Sequence, residues 1–137
     1  MIDFHSHILP GIDDGSTSVE MSIEMLLMEA QQGITHVVAT PHFYANDETV
    51  ASFIERRAKA YEALKEQLGE NGPHILLGAE VRYYQGISRL EGLKDLAIEG
   101  SKLLLLEMPM SVWTETMVRE LVELSGKNSV RIVLAHV

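Results

Sequence analysis

Apolar residues fall along this chain in two rhythms. Short continuous runs such as Leu103-Leu104-Leu105-Leu106 and Ile132-Val133-Leu134 suit strands buried on both faces, as in a parallel sheet. Strands are predicted at residues 2–6, 35–40, 75–79, 102–107 and 131–135, with Pro41 stopping the second. Between them the spacing turns helical. Val19, Ile23, Leu26, Leu27 and Ala30 lie on one face, and Gly33 can end that helix. Thr17 as N-cap with Glu20 three residues on fits a capping box. Met21, Met25 and Met28 of this helix are read as packing residues. A second helix is predicted over 48–68, with Val50, Phe53, Ile54, Ala58, Tyr61, Leu64 and Leu68 as its stripe and Gly69 and Gly72-Pro73 as its stop. A third, over 114–124, should turn Met117, Val118, Leu121 and Val122 inward. Residues 84–101 are less regular, with a short helix expected at 88–96. Alternating strands and helices predict an α/β fold, with no internal repeat and no linker across residues 1–137.

Composition narrows the function classes. The chain has 137 residues, 46% hydrophobic and 23% charged, and a net charge of −9. That balance argues against non-specific nucleic-acid or anionic-membrane binding. An acidic protein acting on phosphate needs local positive charge, which bound metal cations can supply. There are no cysteines, which excludes disulfides, thiolate zinc sites and a cysteine phosphatase mechanism. Met1 is followed at once by Ile2-Asp3-Phe4-His5 without a basic n-region, and no apolar run approaches a bilayer span. The expectation is a soluble, cytoplasmic protein with no membrane insertion.

Polar residues then cluster where the strands end. His5 and His7 close the first strand, two residues apart and therefore on one face. His42 follows the second strand, Glu80 the third, Glu107 ends the fourth and His136 the fifth; Asp13 and Asp14 lie in the loop after the first. In parallel α/β folds the C-terminal strand ends line the active site, so these side chains should converge. Imidazole and carboxylate suit zinc, manganese or iron, and a carboxylate such as Glu80 can bridge two ions. Each residue alone has a bland reading. A lone histidine is more often a hydrogen-bonded surface residue, and Glu80 could pair with Arg82 or Arg89. Glu107, after four leucines, is harder to dismiss, because an unpaired buried carboxylate is costly. Asp3 shares a face with His5 and His7 and is expected to orient a ligand histidine. His36 and His74 begin strands and are left out of the site. Ser6, Ser16 and Thr40 are read as capping or turn residues, not nucleophiles. Arg82, Tyr83 and Tyr84, just beyond Glu80, are read either as contacts to a substrate phosphate or ring or as plain surface residues.

The motifs that carry these residues resemble a known family. Met1-Ile2-Asp3-Phe4-His5-Ser6-His7-Ile8-Leu9-Pro10-Gly11-Ile12-Asp13-Asp14-Gly15 resembles the opening of the PHP (polymerase and histidinol phosphatase) superfamily. The Asp-Asp-Gly points more narrowly to the capsular-polysaccharide tyrosine-protein phosphatases of the CpsB/YwqE type. Ala39-Thr40-Pro41-His42, Gly78-Ala79-Glu80, Leu106-Glu107-Met108-Pro109 and Leu134-Ala135-His136 match its later motifs in order. The resemblance implies a distorted (β/α)7 TIM-like PHP barrel, here incomplete with about five parallel strands and forming a single domain over 1–137. It implies up to three divalent metals (Mn, Fe or Zn) held by His5, His7, Asp14, His42, Glu80, Glu107 and His136. His42, Glu80 and His136 are also the catalytic candidates, with Glu80 bridging and a metal-bound hydroxide attacking phosphorus in line. The implied substrate is phosphotyrosine on a protein or peptide, the tail of a bacterial tyrosine kinase that controls capsular and exopolysaccharide synthesis. The family pattern continues past His136 with a Glu-Arg pair and a late Asp-x-His motif that supplies two more ligands. The chain is therefore expected to be a truncated, N-terminal portion of the domain, with unpaired strand edges and, if stable alone, a homodimer covering them.

Two other readings stay open. One is a PHP phosphatase for a small phosphomonoester such as histidinol phosphate, or a phosphodiesterase; activity on phosphotyrosine peptide against histidinol phosphate separates it from the first. The other is a non-catalytic metal-binding fragment, which would bind metal without turning over any phosphoester.

Overall fold

The computed structural model describes residues 1–126 and 130–136. In chain order the elements are β1 (Ile2–Ser6), α1 (Val19–Gln31), β2 (His36–Ala39), β3 (His42–Phe43), α2 (Val50–Leu68), β4 (His74–Leu77), β5 (Glu80–Arg82), β6 (Leu103–Glu107), α3 (Glu115–Gly126) and β7 (Arg131–Leu134). All pairings are parallel, in the orders β1-β2-β4 and β3-β5-β6-β7. The two sheets are consecutive lengths of shared strand tracks. Ala39 lies opposite Leu77 and His42 opposite Glu80, so both chains advance equally across the break and the register is kept. Pro41 interrupts the ladder because it has no N–H. The ladder is bridged by Gly78 N–H donating to the Ala39 carbonyl (2.8 Å) and Glu80 N–H to the Pro41 carbonyl (2.9 Å). Each of the five predicted strands thus has a counterpart in β1, β2, β4, β6 and β7, while β3 and β5 lie beyond the predicted second and third strands and are additional.

Helices α1 and α2 cover β1, β2 and β4 through Ile8, Leu9, Leu26, Val37, Ala39, Leu64 and Ile75. A second core lies on β3, β5 and β6 and is built from Phe43, Phe53, Val81, Leu104, Leu106 and Leu124. Several expectations are corrected. The N-cap of α1 is Ser18, whose Oγ accepts from Met21 N–H (3.1 Å), not Thr17. Met21 and Met28 are exposed, and only Met25 packs. On α2 the buried position next to Phe53 belongs to Arg57, while Ala58 faces out. The Arg57 guanidinium occupies it because Nη1 donates to the Gly78 carbonyl (2.7 Å) at the break between β4 and β5. On α3, Met117 and Leu121 pack inward but Val118 and Val122 are exposed.

The short helix expected at 88–96 is two 3-10 turns, Ile87–Arg89 and Leu93–Leu96, each entered through a left-handed glycine, Gly86 (φ 101°) and Gly92 (φ 80°). Buried Glu120 of α3 organises the first. It accepts from Gly86 N–H (2.9 Å), Ser88 N–H (3.2 Å) and the Tyr83 hydroxyl (3.0 Å). Burial pushes its carboxyl pKa up, but these bonds outweigh burial and hold it below the usual value. Tyr83 is thereby committed to structure. Among the described residues no helix is long and apolar enough to cross a membrane.

Candidate metal centre

The parallel register decides which ligands meet. His42 and Glu80 are direct cross-strand neighbours, and Arg82 lies opposite Glu107. Residues two apart on a strand share a face, so Glu80, Arg82 and Glu107 point the same way. β1 adds His5, and the turn beyond it adds His7.

Glu80 is the hub, 1% exposed. Its Oε2 lies 3.0 Å from His5 Nε2, 3.4 Å from His7 Nε2 and 3.5 Å from His42 Nδ1. Its Oε1 lies 3.3 Å from His136 Nε2, which is itself 3.7 Å from Glu107 Oε2. The two oxygens of one carboxylate therefore face different donor sets. Asp14 Oδ1 lies 3.5 Å from His42 Nε2. Every residue expected as a ligand is brought together: His5, His7, Asp14, His42, Glu80, Glu107 and His136. Three groups have donor atoms within 4.8 Å of one another: His7 with Asp13, Asp14 and His42; His5 with His7 and Glu80; and His42 with Glu80 and Glu107.

These donors fit metal ions. Ligands at about 2.1 Å from a tetrahedral cation lie about 3.4 Å from each other, close to the separations around Glu80. His42 Nδ1 is buried without a hydrogen-bond partner, an orphan that a cation would satisfy. His5 Nε2 and His7 Nε2 face each other at 3.2 Å while both point at Glu80. Arg82 lies nearby, and its Nη1 is spent on Glu107 Oε1 at 3.1 Å. Glu80 therefore takes histidines, not Arg82, as its partners.

The loop 8–16 shows why Asp-Asp-Gly follows the histidine pair. Asp13 Oδ2 lies 2.9 Å from His7 Nδ1 and accepts from His42 N–H (3.1 Å), while Oδ1 accepts from Gly15 N–H (2.9 Å). Burial disfavours the Asp13 carboxylate, yet the bonds from His7, Gly15 and His42 bring its pKa down to about 2. The same hydrogen bond to Asp13 raises the His7 pKa against the effect of burial. A carboxylate only accepts, so it holds the proton on Nδ1 and turns the Nε2 lone pair to the centre. Gly15 is required by contact: a Cβ there would lie 2.3 Å from the His7 carbonyl oxygen and 2.4 Å from the His7 Cβ. Arg56 of α2 clamps the loop by donating to the Ile12 carbonyl (2.6 Å) while pairing with Glu48.

Asp3, expected to orient a ligand histidine, instead accepts from the His5 backbone N–H at 3.2 Å and lies against Glu29. Asp13 performs the orienting role for His7. Its signal was present in the Asp-Asp-Gly run, but spacing alone cannot assign roles to adjacent aspartates. Arg56 and Tyr44 had no signal at all. Tyr44 stacks on His42 (centroids 5.5 Å, 19°), which stacks on His7 (4.6 Å, 25°). Burial, then the charges of Glu107, Asp14 and Glu80, raise the Tyr44 hydroxyl pKa. A cleft of about 470 Å³ opens beside these rings, lined in part by Asp13, Asp14, His42, Tyr44 and Arg56. His36 and His74 pair edge-on at the opposite strand ends (5.6 Å). Ser6, Ser16 and Thr40 are buried in local hydrogen bonds, Thr40 Oγ1 accepting from Ser6 N–H and Ser16 Oγ meeting Ser22 Oγ.

Fold and site together define a parallel α/β protein with a cluster of histidines and carboxylates whose donor atoms are spaced to hold a metal ion. Comparison with known proteins agrees. The family model described as capsular polysaccharide synthesis, CpsB/CapC, matches residues 1–137, and the chain belongs to that family. It is 36% identical over 118 residues to the putative tyrosine-protein phosphatase CapC of Staphylococcus aureus, covering 80% of this chain and 43% of that protein. It is 36% identical over 115 residues to the tyrosine-protein phosphatase YwqE of Bacillus subtilis (80% and 43%), and 32% identical over 117 residues to CpsB of Streptococcus pneumoniae (80% and 46%). A crystal structure from work on YwqE and CpsB, described as unique metal-dependent tyrosine phosphatases, superposes with a TM-score of 0.75 at 30% identity, over 99% of this chain and 55% of that one. The chain thus spans about half the length of the relatives it matches.

Proposed function

We propose that this chain carries the metal-binding wall of a phosphomonoesterase acting on phosphotyrosine in proteins, within an incomplete (β/α)7 barrel of PHP type. The observation that carries the reading is Glu80: one buried carboxylate whose two oxygens face separate imidazole sets, as a bridging ligand requires. His5, His7, Asp14, His42, Glu80, Glu107 and His136 would hold up to three divalent metals, with manganese, iron and zinc suited to the donor set. When bound, such metals supply Lewis-acid activation of a water and neutralise charge on the phosphoryl oxygens.

The chain's own residues do the positioning. Asp13 holds the proton on His7 Nδ1 and keeps Nε2 turned inward. Gly15 and Arg56 fix the loop that presents Asp14. Arg82 holds Glu107 in register across the strand pair. Capsule synthesis in the family description and the tyrosine-protein phosphatase names of the relatives support a phosphotyrosine protein as substrate, with a bacterial tyrosine kinase of that system as the protein proposed. The proposed location is cytoplasmic.

The test is reconstitution with manganese, iron or zinc, a count of bound metals, and turnover of phosphotyrosine peptide against histidinol phosphate, with Glu80→Gln and His42→Ala as controls. Metal-dependent turnover of the peptide, lost in both variants, is the expected result. Preference for histidinol phosphate would move the reading to a small-molecule phosphatase. Metal bound without turnover would make this chain a metal-binding fragment only.

A further inference from the structure

We propose that Tyr44 is the wall against which the aryl ring of the substrate packs, which makes it a specificity-determining residue; this rests on the phosphatase reading above. His7, His42 and Tyr44 form a ladder of three rings, with centroid steps of 4.6 Å and 5.5 Å and tilts of 25° and 19°. The two inner rings belong to candidate metal ligands. The outer ring is 40% exposed and lines the 470 Å³ cleft.

The rest of that cleft makes the ring stand out. Its lining includes Asp13, Asp14, Asp47 and Glu48, and Arg56 is occupied by Glu48 and the Ile12 carbonyl. Away from the cations such a surface repels a phosphate ester, so attraction there must come from something other than charge. A tyrosine face provides it by offset or edge-on packing. In an aryl phosphate the phosphorus sits two bonds from the ring. A ring packed on Tyr44 therefore leaves its phosphoryl group beside the adjacent imidazole ligands. An alkyl phosphate has nothing to place there. Among the residues lining the cleft, Tyr44 is the one aromatic side chain that is not a candidate ligand; Phe43 and Phe53 are buried against each other, Tyr83 is held by Glu120, and Tyr84 packs against the second core.

Two non-hydrolysable probes separate the ring from the phosphoryl group: benzylphosphonate, with a methylene in place of the ester oxygen, and ethylphosphonate. Both are titrated calorimetrically into the manganese-loaded chain. The expected preference for benzylphosphonate is roughly three- to tenfold, the scale of one aromatic pair. Tyr44→Phe should keep it, and Tyr44→Ala and Tyr44→Leu should bring the ratio close to one with the metal count unchanged. A preference that survives in the Ala and Leu variants, or no preference in the parent chain, overturns the inference and leaves the phosphatase reading standing. Loss of metal in both variants would make Tyr44 a prop for the histidine ladder and overturn it too. Failure of the metal-loaded chain to bind either probe overturns the phosphatase reading itself, and the inference with it.

Discussion

Replacing Asp13 by asparagine changes one oxygen to an amide nitrogen and removes one charge. The three bonds of Asp13 leave no harmless place for that nitrogen. At the Oδ2 position it would face His7 Nδ1 and the His42 N–H; at the Oδ1 position it would face the Gly15 N–H. In the first case His7 can respond only by moving its proton to Nε2, which removes the lone pair aimed at Glu80. The carboxylate titrates at about 2 instead of 3.8, so its partners stabilise the metal-free fold by about 2 kcal/mol at neutral pH, using 1.36 kcal/mol per unit. The side chain is 8% exposed, so little of this is screened. Because the folded pKa is depressed, that stability is present above pH 3.8 and is lost as pH falls towards 2. Urea denaturation at pH 7 should show Asp13→Asn about 2 kcal/mol less stable, with the gap closing in acid. Manganese affinity should fall about 10- to 100-fold, as for other residues that orient a ligand histidine. A variant matching the parent in both measurements would show that His7 is oriented without Asp13.

Three further outcomes follow from the same structure. Gly15→Ala would drive a Cβ into the His7 backbone, which no side-chain rotation can relieve; about 3 kcal/mol of destabilisation, with loss of bound metal, is expected by denaturation and metal analysis. Glu120→Ala would strip the acceptor from Gly86 N–H, Ser88 N–H and Tyr83 and should cost about 2–4 kcal/mol while leaving the metal count unchanged. Glu29 is pushed up to about 7 by burial and then by Asp3, so the folded chain keeps a proton that the unfolded chain releases from pH 4.5. Stability should therefore fall as pH rises from 4.5 to 7, by about 1–2 kcal/mol after discounting for partial exposure. Glu29→Gln should flatten that slope in denaturation curves taken across the range.

Strand tracks, helix positions and the histidines and carboxylates that the fold brings together were legible in the sequence. Each rests on local chemistry: β-branched and leucine runs resist solvent, helical spacing gathers apolar side chains on one face, and histidines and carboxylates at strand ends have few other reasons to recur there. What periodicity could not resolve were choices between adjacent residues. Thr17 and Ser18 both carry a capping hydroxyl. Arg57 and Ala58 compete for one buried position, which goes to Arg57 because the break at Gly78 leaves a carbonyl that a guanidinium can reach. Asp3 and Asp13 are both near His7 in sequence, and only the turn through Gly15 brings Asp13 onto its ring.

The long-range relations belong to the tertiary structure alone. That one Glu80 oxygen gathers His5, His7 and His42 while the other meets His136 depends on a register held across the Pro41 break and on the parallel strand orders β1-β2-β4 and β3-β5-β6-β7. That Arg82 spends itself on Glu107, that Arg56 reaches Ile12 and that Tyr44 caps the histidine ladder likewise depends on side-chain directions which no spacing along the chain specifies. The sequence determined which groups the protein brings to its strand ends; only packing decided how they face one another, because hydrogen bonds and ring contacts are set by angstroms in space and not by separation along the chain.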